Sequence, residues 1–555
     1  MTPRAISLLS AFLLCGCDAT PPPPSQAESQ TKTEPAGTPE AQSGGDTDDD
    51  GQVPALLRDD LPTLAAKLRG GDITSEALVS AYLARINAID RAGPQLQSVL
   101  TVNPDALRDA RALDALLADG TVKGPLHGVP ILLKDNIESA DAMATTAGAM
   151  VLKENVTGRD SPLVAGLRAS GAVILGKTNL SQWANFRSNG SISGWSALGG
   201  QVRNPHMLDR SPCGSSSGSG AAMAASLAAG TVGTETNGSI ICPSNVNGIV
   251  GFKPTVGLVS QQYIVPISSS QDTAGPMTKT VRGAAMMLSA MAQDGADTLD
   301  YSGGLDASAL DGVRVGVLRF SVGDNADIAA TFDKALEVLK AAGATLVEIE
   351  EFSLDTEDFW TKSRNVLYHE FKATLNDYLA QAAPAVTART LDAVIAFNKD
   401  NAARELALFD QSIFEAAAPL AGLDDETYQS NRDEIQRATG PNGIDALLAT
   451  HNVRVLVSPS GPLTARIDPI NGDVWPDWSG GGYLAAIAGY PHLSVPMGTV
   501  HGLPLGLSFI GTKNQDADIL AYGFAYEARS RARVDPAFMN SAFDRPEIKA
   551  ATARP

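Results

Sequence analysis

Past its first residues the sequence has no apolar run long enough to span a bilayer, and nowhere are lysine and arginine gathered into a cluster. The first absence predicts a soluble body, in keeping with a composition that is 44% apolar and 19% charged. The second comes with 62 acidic against 42 basic residues and a formal net charge of −20. It argues against a nucleic acid partner, because a phosphate backbone needs a basic face. A small or peptidic substrate suits this charge better. Histidine is scarce, at six residues, and cysteine scarcer, at four. The chain shows no internal repeat. Its 555 residues could form several domains, or one large mixed sheet with helices on both sides.

What is present begins with Met1, Arg4 and an apolar stretch to Leu14, ending Leu14-Cys15-Gly16-Cys17. This has the form of a short signal-peptide core, predicted over residues 1–16. Its ending resembles a bacterial lipobox, in which the last cysteine, here Cys17, is acylated and becomes the new N-terminus. The expectation is an exported bacterial lipoprotein, facing the periplasm and held to the membrane only by this N-terminal lipid anchor. In proteobacterial lipoproteins an aspartate in the place of Asp18 would favour the inner membrane. Residues 17–53 are rich in Pro, Ser, Thr, Gln, Gly and acid, including Pro21 to Pro24 and Asp48 to Asp50. Such a segment cannot bury enough apolar surface to offset its ordering entropy and reads as a disordered tether.

Within the body, predicted over residues 54–540 with a tail at 541–555, Leu78, Tyr82, Leu83, Ile86 and Ile89 recur at helical spacing after Thr74-Ser75-Glu76. A second helix is predicted at 106–118. Short β-rich runs then alternate with helices: 129–133, 172–175, 313–318, 345–349 and 453–457. This pattern predicts an α/β fold, a large mixed sheet covered by helices. Residues 357–448 lack strand signals and read as an all-helical cap.

Three segments bear chemistry. In Gly128-Val129-Pro130-Ile131-Leu132-Leu133-Lys134-Asp135-Asn136 a lysine ends an apolar strand. Desolvation there would lower its pKa toward general-base use, although such a lysine can equally snorkel to water. The second, Ser211 to Gly220, packs hydroxyls among glycines before an Ala-rich run, as expected where backbone approaches a reacting centre; the alternative, a flexible linker, would not lead directly into a helix so suited to burial. In the third, Gly233-Thr234-Glu235-Thr236-Asn237-Gly238-Ser239-Ile240, a turn of small residues precedes a serine. It can aim amide N–H groups at one point, or be an ordinary turn.

Taken together, the three resemble the amidase-signature family in order, spacing and wording, over nearly all of the chain after the tether. The family's lysine, in a G-V-P-x-x-x-K-D motif, falls on Lys134. Its Gly-Ser-Ser block puts the bridging serine on Ser215, and its G-T-x-x-x-G-S-I block puts the nucleophile on Ser239, 24 residues on. The wording is closest to the bacterial peptide amidase branch. Cys213 stands where a glycine is usual, Asn237 where a glycine or acid is usual, and Ile241 where an arginine often follows. The resemblance implies the amidase-signature fold and a serine amidohydrolase. Its substrate would be a small amide or an amidated peptide. Neutral Lys134 would take a proton through Ser215 while Ser239 attacks. The amides of Thr236, Asn237, Gly238 and Ser239 would hold the oxyanion, with Gly214 and Ser216 as the supporting loop. It also implies a cis peptide at Gly214–Ser215 and no metal or cofactor.

Rival readings fare worse. Gly214-Ser215-Ser216-Ser217-Gly218 matches the G-x-S-x-G elbow, which would make Ser216 the nucleophile, but no strong strand precedes it and His451, His492 or His501 would have to supply the base. The S-x-x-K pattern of penicillin-binding enzymes occurs only at Ser29 to Lys32, in the tether. A lipid-anchored, catalytically silent binding protein derived from an amidase is disfavoured by the presence of all three catalytic side chains. An amidotransferase acting on aminoacyl-tRNA is disfavoured by export and acidity. Cys213 and Cys242 are expected to be unpaired packing residues rather than a disulfide. The oligomeric state is not legible.

Overall fold

The computed structural model describes residues 53–292 and 299–554. The expected signal peptide, Cys17 and the expected tether as far as residue 52 lie outside the described residues. The strands in chain order are β1 (Val99–Val102), β2 (Pro130–Lys134), β3 (Val173–Thr178), β4 (Trp195–Ser196), β5 (Gly200–Gln201), β6 (Gly230–Glu235) and β7 (Val250–Lys253). They continue with β8 (Thr273–Thr278), β9 (Arg314–Leu318), β10 (Thr345–Ile349), β11 (Val455–Pro459), β12 (His492–Val500) and β13 (Leu503–Ile510). Among the described residues β4 and β5 form a small ribbon and the other eleven form one sheet, in the order β1-β3-β2-β6-β8-β7-β12-β13-β11-β9-β10. Pairing is parallel in the two flanks, β3-β2-β6 and β11-β9-β10, and antiparallel through the centre from β6 to β11. The α/β class and the large mixed sheet are those expected from the sequence.

Side chains alternate along a strand, so neighbouring residues that join different cores show that both faces are covered. In β11, Val455 and Val457 join the main core, which includes Phe332 and Leu336 of the helix Ala326–Ala341 and Leu520 of the helix Asp516–Ser530. Leu456 between them packs with Leu484 and Ala485 of the helix Gly482–Ala488. Strand β2, buried at every position, carries the continuous apolar run of a strand covered on both faces. The helices Ser75–Arg85 and Ala106–Ala118 form where the periodicity placed them. The Thr74 hydroxyl caps the first by accepting the N–H of Ala77.

The central strands are built differently. Strand β6 reads Gly-Thr-Val-Gly-Thr-Glu, and a Cβ on Gly233 would lie 2.7 Å from Met277 Sδ and 2.8 Å from Ser216 Oγ. Glycine is needed there because the start of the helix Ser217–Ala224 lies directly against the strand. Residues 357–448 hold the helices Phe359–Ala380, Leu391–Asp400, Ala402–Glu405, Ser412–Ala417 and Glu426–Thr439. Their core, around Phe371, Leu375 and Phe414, also takes in Trp183 and Ile267 from the loops that border the site described next.

Candidate active site

The parallel pairing of β2 with β6 sets Leu133 level with Val232. One step further along, Lys134 meets Thr234. Its Nζ lies 2.8 Å from Thr234 Oγ1, 3.2 Å from Thr234 O and 2.8 Å from Ser215 Oγ. Asn136 Nδ2 donates to the same Thr234 Oγ1 at 3.0 Å. Lys134 and Ser215 are wholly buried. Burial lowers the lysine pKa from 10.5 to about 7, against the opposing charges of Asp272 and Glu235. A neutral amine has two N–H groups and one lone pair. In that form Thr234 O and Oγ1 can accept both N–H groups, which leaves the lone pair for the Ser215 hydroxyl. Lys177 and Lys253 are as deeply buried, and burial lowers each to about 8, but their Nζ atoms bond to Ile137 O and Thr145 Oγ1, and to Pro254 O. Of the three it is Lys134 that reaches a serine.

Ser239 sits in the turn between β6 and the helix Ile241–Asn247. The Glu235 carboxylate shapes this turn from below, accepting the N–H groups of Ile240 at 2.7 Å and Ile241 at 3.0 Å on one oxygen. On the other side the Thr236 hydroxyl donates to Asp272 Oδ1 at 2.6 Å, while Asp272 Oδ2 accepts the amides of Ile267 and Ser268. Burial pushes the Asp272 carboxyl up to about 6. Gly238 has φ of +83°, a conformation that would strain any L residue. Among the described residues, the amide N–H groups of Thr236, Asn237, Gly238 and Ser239 find no acceptor within the protein. Four unsatisfied donors in one turn are free to receive an anion. The two serine segments are tied where the Ser216 amide donates to the Ser239 carbonyl at 3.2 Å. The Ser216 hydroxyl is occupied by the Thr234 main chain, donating to its carbonyl at 3.0 Å and accepting from its N–H at 3.2 Å.

Ser239 is 9% exposed and opens on a cleft of about 270 Å³ whose lining includes Phe186, Asn237, Leu367, Trp475 and Trp478. Among the described residues no protein group hydrogen-bonds its hydroxyl. Nor do three or more His, Cys, Asp or Glu converge there as a metal site.

A family model described as Amidase matches residues 77–520. The chain belongs to the amidase family. This amidase resembles in fold the native peptide amidase of Stenotrophomonas maltophilia, with a TM-score of 0.83 and 44% identity, over 87% of this chain and 99% of that one. It is similar also to a peptide amidase solved in complex with the competitive inhibitor chymostatin, with a TM-score of 0.82 and 45% identity over 86% and 98% of the two chains. Among curated sequences it is 36% identical to a probable amidase of Arabidopsis thaliana, over 84% of this chain and 89% of that one.

In the amidase the peptide bond Gly214–Ser215 is cis. The cysteines correct an expectation: Cys213 and Cys242, read as unpaired, form a disulfide with S–S 2.02 Å and Cα–Cα 5.9 Å. Their separation of 29 residues said nothing of proximity. They meet where the two segments lie side by side, tied by the Ser216 amide to the Ser239 carbonyl and by Asn247 Nδ2 to the Pro212 carbonyl at 3.0 Å. Thr234, Asn136, Glu235 and Asp272 went unassigned to the site in the sequence. Their roles depend on strand register and on carboxylates reaching back to main-chain amides, and no motif encodes these.

Proposed function

We propose that this amidase hydrolyses primary amides, foremost the C-terminal amides of peptides, through an acyl-enzyme on Ser239. The observation that carries the reading is the fully buried Lys134 amine, brought to about 7 by desolvation and 2.8 Å from the Ser215 hydroxyl. A serine hydroxyl is a weak nucleophile until a base removes its proton. With substrate seated, Ser215 passes the Ser239 proton to Lys134, and Ser239 Oγ bonds to the amide carbon. The carbonyl oxygen takes up the electron pair and is held by the free amides of residues 236–239. Return of the proton to nitrogen breaks the C–N bond and releases ammonia. Water, deprotonated through the same pair, then cleaves the ester and restores the serine. Apo geometry of such relays is commonly loose, tightening only when the reactant is bound.

Peptide amides are favoured by the similarity to peptide amidases and by the cleft with its paired Trp475 and Trp478 rings, 6.0 Å apart. Export and anchoring through Cys17 belong to the same proposal. The Cys213–Cys242 disulfide supports them, since such bonds persist in oxidising compartments. No helix among the described residues is long and apolar enough to cross a membrane.

The test is ammonia release from a panel of amidated dipeptides and simple amides, using the body without residues 1–52. Lys134→Ala is expected to lose on the order of 10²–10⁴-fold in turnover, the usual contribution of a general base, and Ser239→Ala to lose all detectable release. Full activity in either variant would overturn the assignment. Release from simple amides but not from dipeptide amides would overturn the substrate class.

A further inference from the structure

Two cysteines flank the site on its two separate segments. Cys213 stands just before Gly214-Ser215 and Cys242 just after Ser239-Ile240-Ile241, and their sulfurs are joined. Both border the cleft onto which Ser239 opens, and together with Val246 and Trp475 they make a small apolar cluster. Cys213 has φ of +54°, in the left-handed region that glycine enters freely and other residues rarely do. Its other main-chain ties are local: its N–H donates to Ser211 Oγ at 3.1 Å and its carbonyl accepts from Ser217 Oγ at 2.5 Å. The disulfide is its covalent link to the segment of the nucleophile. The residue that must hold this turn is therefore one that resists it, and the crosslink opposes its relaxation.

We infer that the Cys213–Cys242 disulfide is a positioning device for the reaction. It keeps Cys213 in the backbone conformation that holds the Ser215 hydroxyl 2.8 Å from Lys134 Nζ. The crosslink thus does by constraint what a glycine at this position does by conformational freedom. The inference rests on the Ser239, Ser215 and Lys134 assignment. Once the bond is open, Cys213 can relax toward negative φ, carrying Gly214 and Ser215 with it and lengthening the 2.8 Å contact to Lys134. The amidase is then competent in an oxidising compartment and loses turnover in a reducing one.

Two double variants separate this from a purely structural crosslink. Cys213→Ala/Cys242→Ala removes the bond but keeps a Cβ at the strained position, whereas Cys213→Gly/Cys242→Ala removes both. With an amidated dipeptide as substrate, the alanine pair is expected to lose tenfold or more in kcat with KM within about twofold of the parent. The glycine pair is expected to recover most of that loss, although neither has the crosslink. An alanine pair with the parent's kcat would overturn the inference, and so would a glycine pair no better than the alanine pair.

Should the alanine pair not fold, the parent body without residues 1–52, whose only cysteines are Cys213 and Cys242, supplies the test. A trialkylphosphine attacks one sulfur, the S–S bond breaks, and water converts the phosphorus adduct to the phosphine oxide. Two thiols remain, phosphorus being oxidised by two electrons and each sulfur reduced by one. A fall in kcat that tracks the appearance of two thiols per chain supports the inference. An unchanged kcat at two thiols per chain overturns it. Turnover persisting in Ser239→Ala would instead sink the underlying assignment, however the cysteine variants behave.

Discussion

An amine accepts a proton only in its neutral form, so in the proposed relay the titration of Lys134 sets the acid limb of the activity. Its pKa is brought to about 7 by burial, so kcat/KM is expected to rise with pH through about 7 and to hold a plateau into the alkaline range. Asp272 and Glu235 oppose the shift by favouring the ammonium. Asp272→Asn removes a negative charge, favours the neutral amine and is expected to move the limb to lower pH. A limb that stays in place, or moves up, would show that another group is titrating. Asp272 was not legible as a site residue, and Glu235, although it lies in the third segment, carried no role there. Lys134, Ser215 and Ser239 could be picked out because each lies in a motif whose chemistry is local. Asp272 lies outside all three segments and touches the turn only through the Thr236 hydroxyl, its other carboxylate oxygen being taken by the amides of Ile267 and Ser268.

The same division between local and non-local information runs through the elements. The flanking strands β2, β3, β9, β10 and β11 announce themselves as apolar, β-branched runs, and their observed ends fall within three residues of those expected, β3 running on from 175 to Thr178. Central strands β6 and β8, Gly230–Glu235 and Thr273–Thr278, do not. They are rich in glycine and threonine, and Gly233 and Gly275 stand where Ser216 and the Phe252 carbonyl of β7 lie hard against the strands, so tight packing removed the hydrophobic signal that marks a strand. One of the helical ties across the cap is an ion pair with no exposure, Arg187 to Glu405, 3.3 Å apart. The Glu405 carboxylate also accepts the Met150 amide at 2.6 Å, and the Arg187 guanidinium lies 4.1 Å over the Phe409 ring. Glu405→Ala leaves a buried guanidinium unpaired and is expected to destabilise by roughly 3–5 kcal/mol, read as a fall in the denaturant midpoint. A midpoint unchanged from the parent would mean that the pair has no part in holding the helices Ala402–Glu405 and Ser412–Ala417 to the body.

At the scale of the whole molecule the proposal divides labour between a catalytic body and an N-terminal segment concerned only with location. The absence of basic clusters and the net charge of −20 already pointed away from nucleic acid. A chain without residues 1–52 is expected to match the full-length enzyme in kcat and KM on soluble dipeptide amides. Cys17→Ser in the full chain is expected to shift the enzyme from the membrane fraction to the soluble one, without loss of turnover. Membrane retention by Cys17→Ser would remove the anchor from the account and leave the chemistry standing. The proposed chemistry turns on a covalent intermediate. It is tested most directly by partitioning between water and hydroxylamine, using the primary amide and the methyl ester of the same N-protected dipeptide. A common acyl-enzyme on Ser239 requires the same hydroxamate-to-acid ratio from both substrates, and neither product from Ser239→Ala. Ratios that differ between amide and ester, or turnover by Ser239→Ala, would contradict it.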